Sequence, residues 1–230
     1  GFFYGEITVL LGFQMLRHEG KVTGLAAYGN PHKLYGEMAK ALRLRKDKMG
    51  FEGDFTSQGA RGKHLAKVIQ GCSREDVSAA AQLALENAIV GHIQHVSRQK
   101  GLRKVALSGG VFANVKLNQR IMELAEVDEI FVFPGMGDEG LSTGMAIFQH
   151  LKQYGQDTSH RIDNLYWGPS FSEDEILPLL EKGNWDYEKM NSRDRAKIIA
   201  QLIHEGKIVG LFQGRLEFGP RALGNRSILA

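Results

Sequence analysis

Lys104-Val105-Ala106-Leu107-Ser108-Gly109-Gly110-Val111-Phe112-Ala113-Asn114 passes from a strand-like run into two glycines. A helical pattern then runs from about Phe112 to Ala125. A second unit of the same build follows. Glu129-Ile130-Phe131-Val132-Phe133 enters Pro134-Gly135-Met136-Gly137, and a helix is expected from about Glu139 to Tyr154. Strands alternating with helices argue for an α/β fold with a parallel or mixed sheet. Such folds take ligands at the carboxyl ends of their strands, so the two glycine turns are the first places to look for function.

Upstream, Ser73 with Asp76 resembles a capping box that opens the clearest helix, about Arg74 to Gln99. Its apolar face runs through Ala81, Leu85, Ala88, Ile89, Ile93 and Val96, and Gly101 stops it. Phe2 to Phe13 reads as a helix, although Ile7-Thr8-Val9 leaves a strand open. The small residues of Gly20–Gly29 (GKVTGLAAYG) suit a short helix packed on a ligand or another backbone. Asn30-Pro31 is a turn, Pro31 to Leu42 a short helix, and Arg43 to Phe55 strand or loop. Downstream, the polar stretch Gly155–Asp163 is the best domain boundary, dividing 1–160 from 161–230. A short strand is expected at Tyr166-Trp167, helices at Ser172–Glu181 and Ser192–His204, and strands at Ile208–Gln213 and from Ser227 onward.

A chain of 230 residues has room for one large domain or two modest ones, and 43% apolar residues suffice for a packed core. A net charge of +3 is too small to argue for nucleic acid or an anionic membrane as partner. No apolar run approaches the ~18 residues of a membrane span. A single cysteine, Cys72, excludes an internal disulfide and a Cys-based zinc site, and fits a reducing compartment, so a cytoplasmic location is expected. With 28 glycines against 5 prolines, the chain is rich in tight turns and close backbone approaches, as nucleotide-handling α/β proteins are. Gly1 in place of Met, and a closing apolar run, read as a piece of a longer protein.

Three clusters are candidates for chemistry. Gly109 and Gly110 remove the Cβ atoms that would block a phosphate or ribose. Asn114, one turn on, can hydrogen-bond a ribose or base, or the segment is simply a tight turn. Asp138, in Gly135-Met136-Gly137-Asp138-Glu139-Gly140, suits a divalent metal or the N-cap of the next helix. Gly214 to Ser227 (GRLEFGPRALGNRS) sets Arg215, Arg221, Arg226 and Asn225 close together. Arginine forks grip phosphates and carboxylates at two points, and Glu217 can orient one of them; a solvated Arg–Glu loop is the alternative. His92 and His95 are read as structural, Arg43–Lys48 as a solvated face, and Cys72 as inert.

Together, GKVTGLAAYG (Gly20–Gly29), LSGGVFANVKLN (Leu107–Asn118), PGMGDEG (Pro134–Gly140) and GRLEFGPRALGNRSIL (Gly214–Leu229) resemble the O-carbamoyltransferases of nodulation-factor and antibiotic biosynthesis, in the same order and across essentially the whole chain. The resemblance implies the second half of an actin-like ATPase-type domain (1–160), followed by the start of an α/β carbamoyltransferase C-terminal domain (161–230). It implies carbamoyl phosphate and a small-molecule hydroxyl acceptor as substrates. Carbamoyl-adenylate would be made from ATP in the C-terminal domain, and the carbamoyl group passed to the acceptor in the actin-like one. By motif match, Gly109, Gly110 and Asn114 would hold the adenylate and Asp138 a metal, usually described as iron. Arg215, Arg221, Asn225 and Arg226 would line the phosphate pocket, and Lys21 lies in a matched segment of undefined role. The family's metal-binding histidine pair belongs to a segment that precedes this chain, so the chain would be catalytically incomplete alone. A tRNA threonylcarbamoyl transferase shares the GGVxxN loop but lacks GPRALGNRS. A nucleotide-binding module without catalysis is the non-enzyme alternative.

Overall fold

The computed structural model describes residues 1–155 and 162–230. The chain forms two compact units, Gly1–Asp138 and Glu139–Ala230. Much of the polar stretch read as a domain boundary, residues 156–161, lies outside the described residues.

The first unit is built around one long helix. It contains α1 (Phe2–Leu10), α2 (Glu19–Ala26), α3 (Tyr35–Ala41), α4 (Gln58–Val68), α5 (Arg74–Lys100) and α6 (Val115–Met122). Its strands are β1 (Arg43–Leu44), β2 (Phe51–Glu52), β3 (Lys104–Leu107) and β4 (Glu129–Val132). From Asp76 to Ala88, α5 is buried apart from the partly exposed Leu83 and the exposed Asn87. The helix therefore runs through the core rather than along its surface, a broader burial than the single apolar face expected from the sequence.

Ile7, Val22, Met38, Leu65, Leu117 and Ile121, contributed by five other helices, are fully buried in the same cluster. Ser73 caps α5, its Oγ accepting from the Asp76 N–H at 3.1 Å, and Gly101 ends it at φ 66°. Only half of the expected capping box forms, because the Asp76 carboxylate turns to Asn30 and Lys33 instead. Helix α4 has no counterpart in the sequence reading. Ser57 caps it, but Gly59 and Gly62 dilute its pattern.

β3 and β4 pair in parallel, Lys104 opposite Glu129 through Leu107 opposite Val132, with α6 in the crossover. This is the expected strand–turn–helix unit, in a sheet of two strands. The helix begins at Val115 rather than Phe112, because Gly110–Ala113 form a tighter 3-10 turn ahead of it. The Arg43–Phe55 stretch contains a short antiparallel hairpin of β1 and β2.

The second unit contains α7 (Gly140–Tyr154), α8 (Glu173–Lys182), α9 (Ser192–His204), β5 (Val209–Phe212) and β6 (Arg226–Leu229). β5 and β6 pair antiparallel, Val209 opposite Leu229. Glu175 accepts from both the N–H and the hydroxyl of Ser172, at 2.8 and 2.9 Å, which completes the capping box expected there. Tyr166-Trp167 is not a regular strand. The backbone around it nevertheless pairs with the segment after β5, through Gly168 N–H to Leu216 carbonyl at 2.9 Å and Phe218 N–H to Leu165 carbonyl at 2.7 Å. Among the described residues, no helix is long and apolar enough to cross a membrane.

Candidate functional site

The turn after β3 is held by its backbone. Gly109 has φ 111°, a conformation that side chains with a Cβ rarely adopt, and its N–H donates to the Met136 carbonyl at 2.7 Å. That bond ties the turn after β3 to the turn after β4. Among the described residues, no atom lies within 4 Å of where a Cβ on Gly109 or Gly110 would sit, so the turn faces open space. A ligand can approach its backbone closely.

Asn114 is 8% exposed and looks inward. Its Oδ1 accepts from the Leu117 N–H at 3.0 Å and caps α6. The same carboxamide also pairs with Gln82 of α5, Nδ2 donating to Gln82 Oε1 at 2.8 Å and Gln82 Nε2 donating to Asn114 Oδ1 at 3.1 Å. Gln82 also accepts from the Tyr4 hydroxyl at 2.7 Å and donates to Glu86 at 2.8 Å, and Glu86 pairs with Arg120 at 2.7 Å. Burial pushes the Tyr4 hydroxyl well above its usual range, so it stays protonated. Asn114 thus shapes the glycine turn from inside the protein.

Sequence reasoning missed Gln82 and Tyr4. The available signal is Gln82 and Glu86, four residues apart, inside a stretch otherwise made largely of alanine and leucine.

The Gly20–Gly29 segment reaches this network through Thr23, whose Oγ1 lies 3.0 Å from the Tyr4 hydroxyl. Lys21 is exposed, with its Nζ 5.4 Å from the centre of the Phe13 ring. At the end of the segment the Asn30 N–H donates to Asp76 at 2.7 Å, and Lys33 lies 2.5 Å from the same carboxylate. The bond from Lys33 and then that from Asn30 hold the Asp76 carboxyl at about 2.

Asp138 is exposed in the turn before α7, and among the described residues no side chain caps that helix, so the capping role open to Asp138 is not taken. The described residues contain no group of three or more His, Cys, Asp or Glu able to hold a metal. Asp138 alone offers one carboxylate, so these residues do not by themselves make a metal site. His92 shares a hydrogen bond with the Lys48 carbonyl at 2.8 Å and packs on Phe51, the structural role expected of it.

In the second unit the arginine-rich loop closes on Glu217. Its Oε1 accepts from the N–H groups of Asn225, Leu223 and Arg226 at 2.7, 2.8 and 3.3 Å. Burial pushes this carboxyl up, but those N–H groups outweigh it and hold it at about 2. Arg226 Nε lies 3.2 Å from Oε2, and its Nη2 donates to the Gly219 carbonyl. Arg215 donates to the carbonyls of Gly168 and Trp167 at 3.0 and 3.1 Å. Asn225 donates to the Arg215 carbonyl at 2.7 Å. Arg221 is exposed. A groove of about 450 Å³ opens beside the loop, lined by Phe171, Ile176, Arg195, Phe212, Gln213, Gly214 and Asn225.

The glycine turn and the arginine loop fall in segments that match two carbamoyltransferase family models. Residues 1–147 match the carbamoyltransferase N-terminus and residues 200–230 the carbamoyltransferase C-terminus, and the chain belongs to that family. It is 36% identical over 239 residues to an uncharacterized protein of Methanocaldococcus jannaschii, covering all of this chain and 39% of that one. It is 34% identical over 240 residues to nodulation protein NolO of Bradyrhizobium diazoefficiens (all of this chain, 43% of that one). It is 28% identical over 223 residues to the 3'-hydroxymethylcephem-O-carbamoyltransferase of Streptomyces clavuligerus (95% and 40%). The chain spans less than half the length of these relatives.

Proposed function

We propose that this chain is part of an ATP-dependent O-carbamoyltransferase. Carbamoyl phosphate and ATP would give carbamoyl-adenylate, with pyrophosphate released and the phosphoryl group of carbamoyl phosphate passed to water. The carbamoyl group would then move to a hydroxyl of a small molecule, releasing AMP. The relative named for a hydroxymethyl substrate supports a hydroxyl acceptor.

The observation that carries the reading is the arginine loop, which borders a groove and leaves Arg221 exposed while Arg215 and Arg226 are held by backbone carbonyls. A guanidinium neutralises phosphate charge and grips two oxygens at once. The open Gly109–Gly110 turn would receive the adenylate, with Asn114 fixing the turn from behind. Asp138 would supply at most one ligand to a divalent metal.

The test is carbamoyl phosphate-dependent release of pyrophosphate from ATP by the full-length protein, for wild type and Arg221→Ala. Release by wild type and its loss in the variant are expected. No release by well-folded wild type, with and without candidate acceptors, would sink the reading.

A further inference from the structure

Among the described residues of the second unit, the one that is buried is a carboxylate, Glu217, 4% exposed. A buried carboxylate is costly unless it is hydrogen-bonded, and here three backbone N–H groups converge on one of its oxygens. Its second oxygen makes an ion pair with Arg226 rather than an aligned hydrogen bond. The chain between them turns through Gly219 and Gly224, at φ 102° and 106°. One side chain therefore sets the shape of the loop that carries Arg221.

We propose that Glu217 is the positioning residue of this loop, fixing the backbone from Leu223 to Arg226, pairing with the partly exposed Arg226, and leaving Arg221 as the guanidinium that meets the anionic substrate. Arg215, bound to two carbonyls, anchors the loop to the Trp167–Gly168 segment. The inference rests on the carbamoyl phosphate reading for the identity of the anion. The loop's construction around Glu217 does not.

The experiment uses the full-length protein with Glu217→Gln, Glu217→Ala, Arg221→Ala and Arg215→Ala. Glu217→Gln keeps an acceptor for the three N–H groups but removes the charge facing Arg226. It is expected to raise KM for carbamoyl phosphate about tenfold, with KM for ATP and the melting temperature close to wild type. Arg221→Ala is expected to raise that KM more than Arg215→Ala does. Amide exchange at Leu223, Asn225 and Arg226 should be slow in wild type and fast in Glu217→Ala. Equal exchange in those two proteins, a Glu217→Gln enzyme kinetically like wild type, or Arg215→Ala as harmful as Arg221→Ala would overturn the proposal. If wild type releases no pyrophosphate, the carbamoyl reading fails, and amide exchange with titration of inorganic phosphate still decides the roles of Glu217 and Arg221.

Discussion

The carboxamides of Gln82 and Asn114 face each other and donate in both directions, at 2.8 and 3.1 Å, between the N-terminal third of α5 and the N-terminus of α6. Both residues are buried, at 5% and 8% exposure. Because Asn114 also caps α6, the pair fixes the end of the turn that begins at Gly109. Tyr4 and Thr23 extend the network to α1 and α2. A buried network of this kind is stabilising only while every member is satisfied.

Gln82→Leu should therefore cost about 2–4 kcal/mol, by leaving Asn114, Tyr4 and Glu86 short of partners inside the core. Urea unfolding of the full-length protein would measure it. A loss below ~0.5 kcal/mol would mean that water or a rearranged side chain replaces the glutamine.

Gly29→Ala should be as damaging by a different route. A Cβ there would lie 2.0 Å from the Glu75 carbonyl oxygen and 2.7 Å from the Asp76 nitrogen, both backbone atoms that cannot swing aside. A loss of about 3 kcal/mol is expected in the same unfolding measurement. A variant as stable as wild type would show that α5 can shift away from the Gly20–Gly29 segment.

These contacts separate what is legible in the sequence from what is not. The βα turns, α5, α8 and α9 can be read because their signals are local, namely caps, glycine stops and apolar spacing. Glu217 can be picked out within its motif, but its three N–H donors lie six to nine residues along the chain. The sequence suggests an outward, ligand-facing Asn114, because its partner Gln82 is far away along the chain. Lys21 stands out by its motif, whereas Thr23, two residues on, is the one that reaches the buried network. Long-range polar pairing leaves no periodic trace.

Asp76 predicts a pH dependence. Its carboxyl is held at about 2, below the ordinary value of 3.8, so the unfolded state takes up a proton first as pH falls. The stability from its bonds to Lys33 and Asn30 is fully present above about pH 5 and is lost as pH falls toward 2. The stability difference between wild type and Asp76→Asn, followed by urea unfolding, should be flat from pH 7 to about 5 and shrink below 4. A difference that stays constant down to about pH 2 would contradict the ion pair.

Gly109 and Gly110 separate folding from binding. Alanine at Gly109 would have to adopt φ 111°, at a cost of about 1–2 kcal/mol, and Gly109→Ala should lower stability. Gly110 opens a 3-10 turn and has nothing within 4 Å of its Cβ position, so Gly110→Ala should unfold within ~0.5 kcal/mol of wild type. If a nucleotide lies against this turn, the added methyl occupies its space, and binding of a non-hydrolysable ATP analogue to the full-length protein should weaken about tenfold. Calorimetric titration of both variants reads the two effects apart. Wild-type affinity in a stable Gly110→Ala protein would remove this turn from the nucleotide site, because the open space beside Gly110 would then have no ligand to admit.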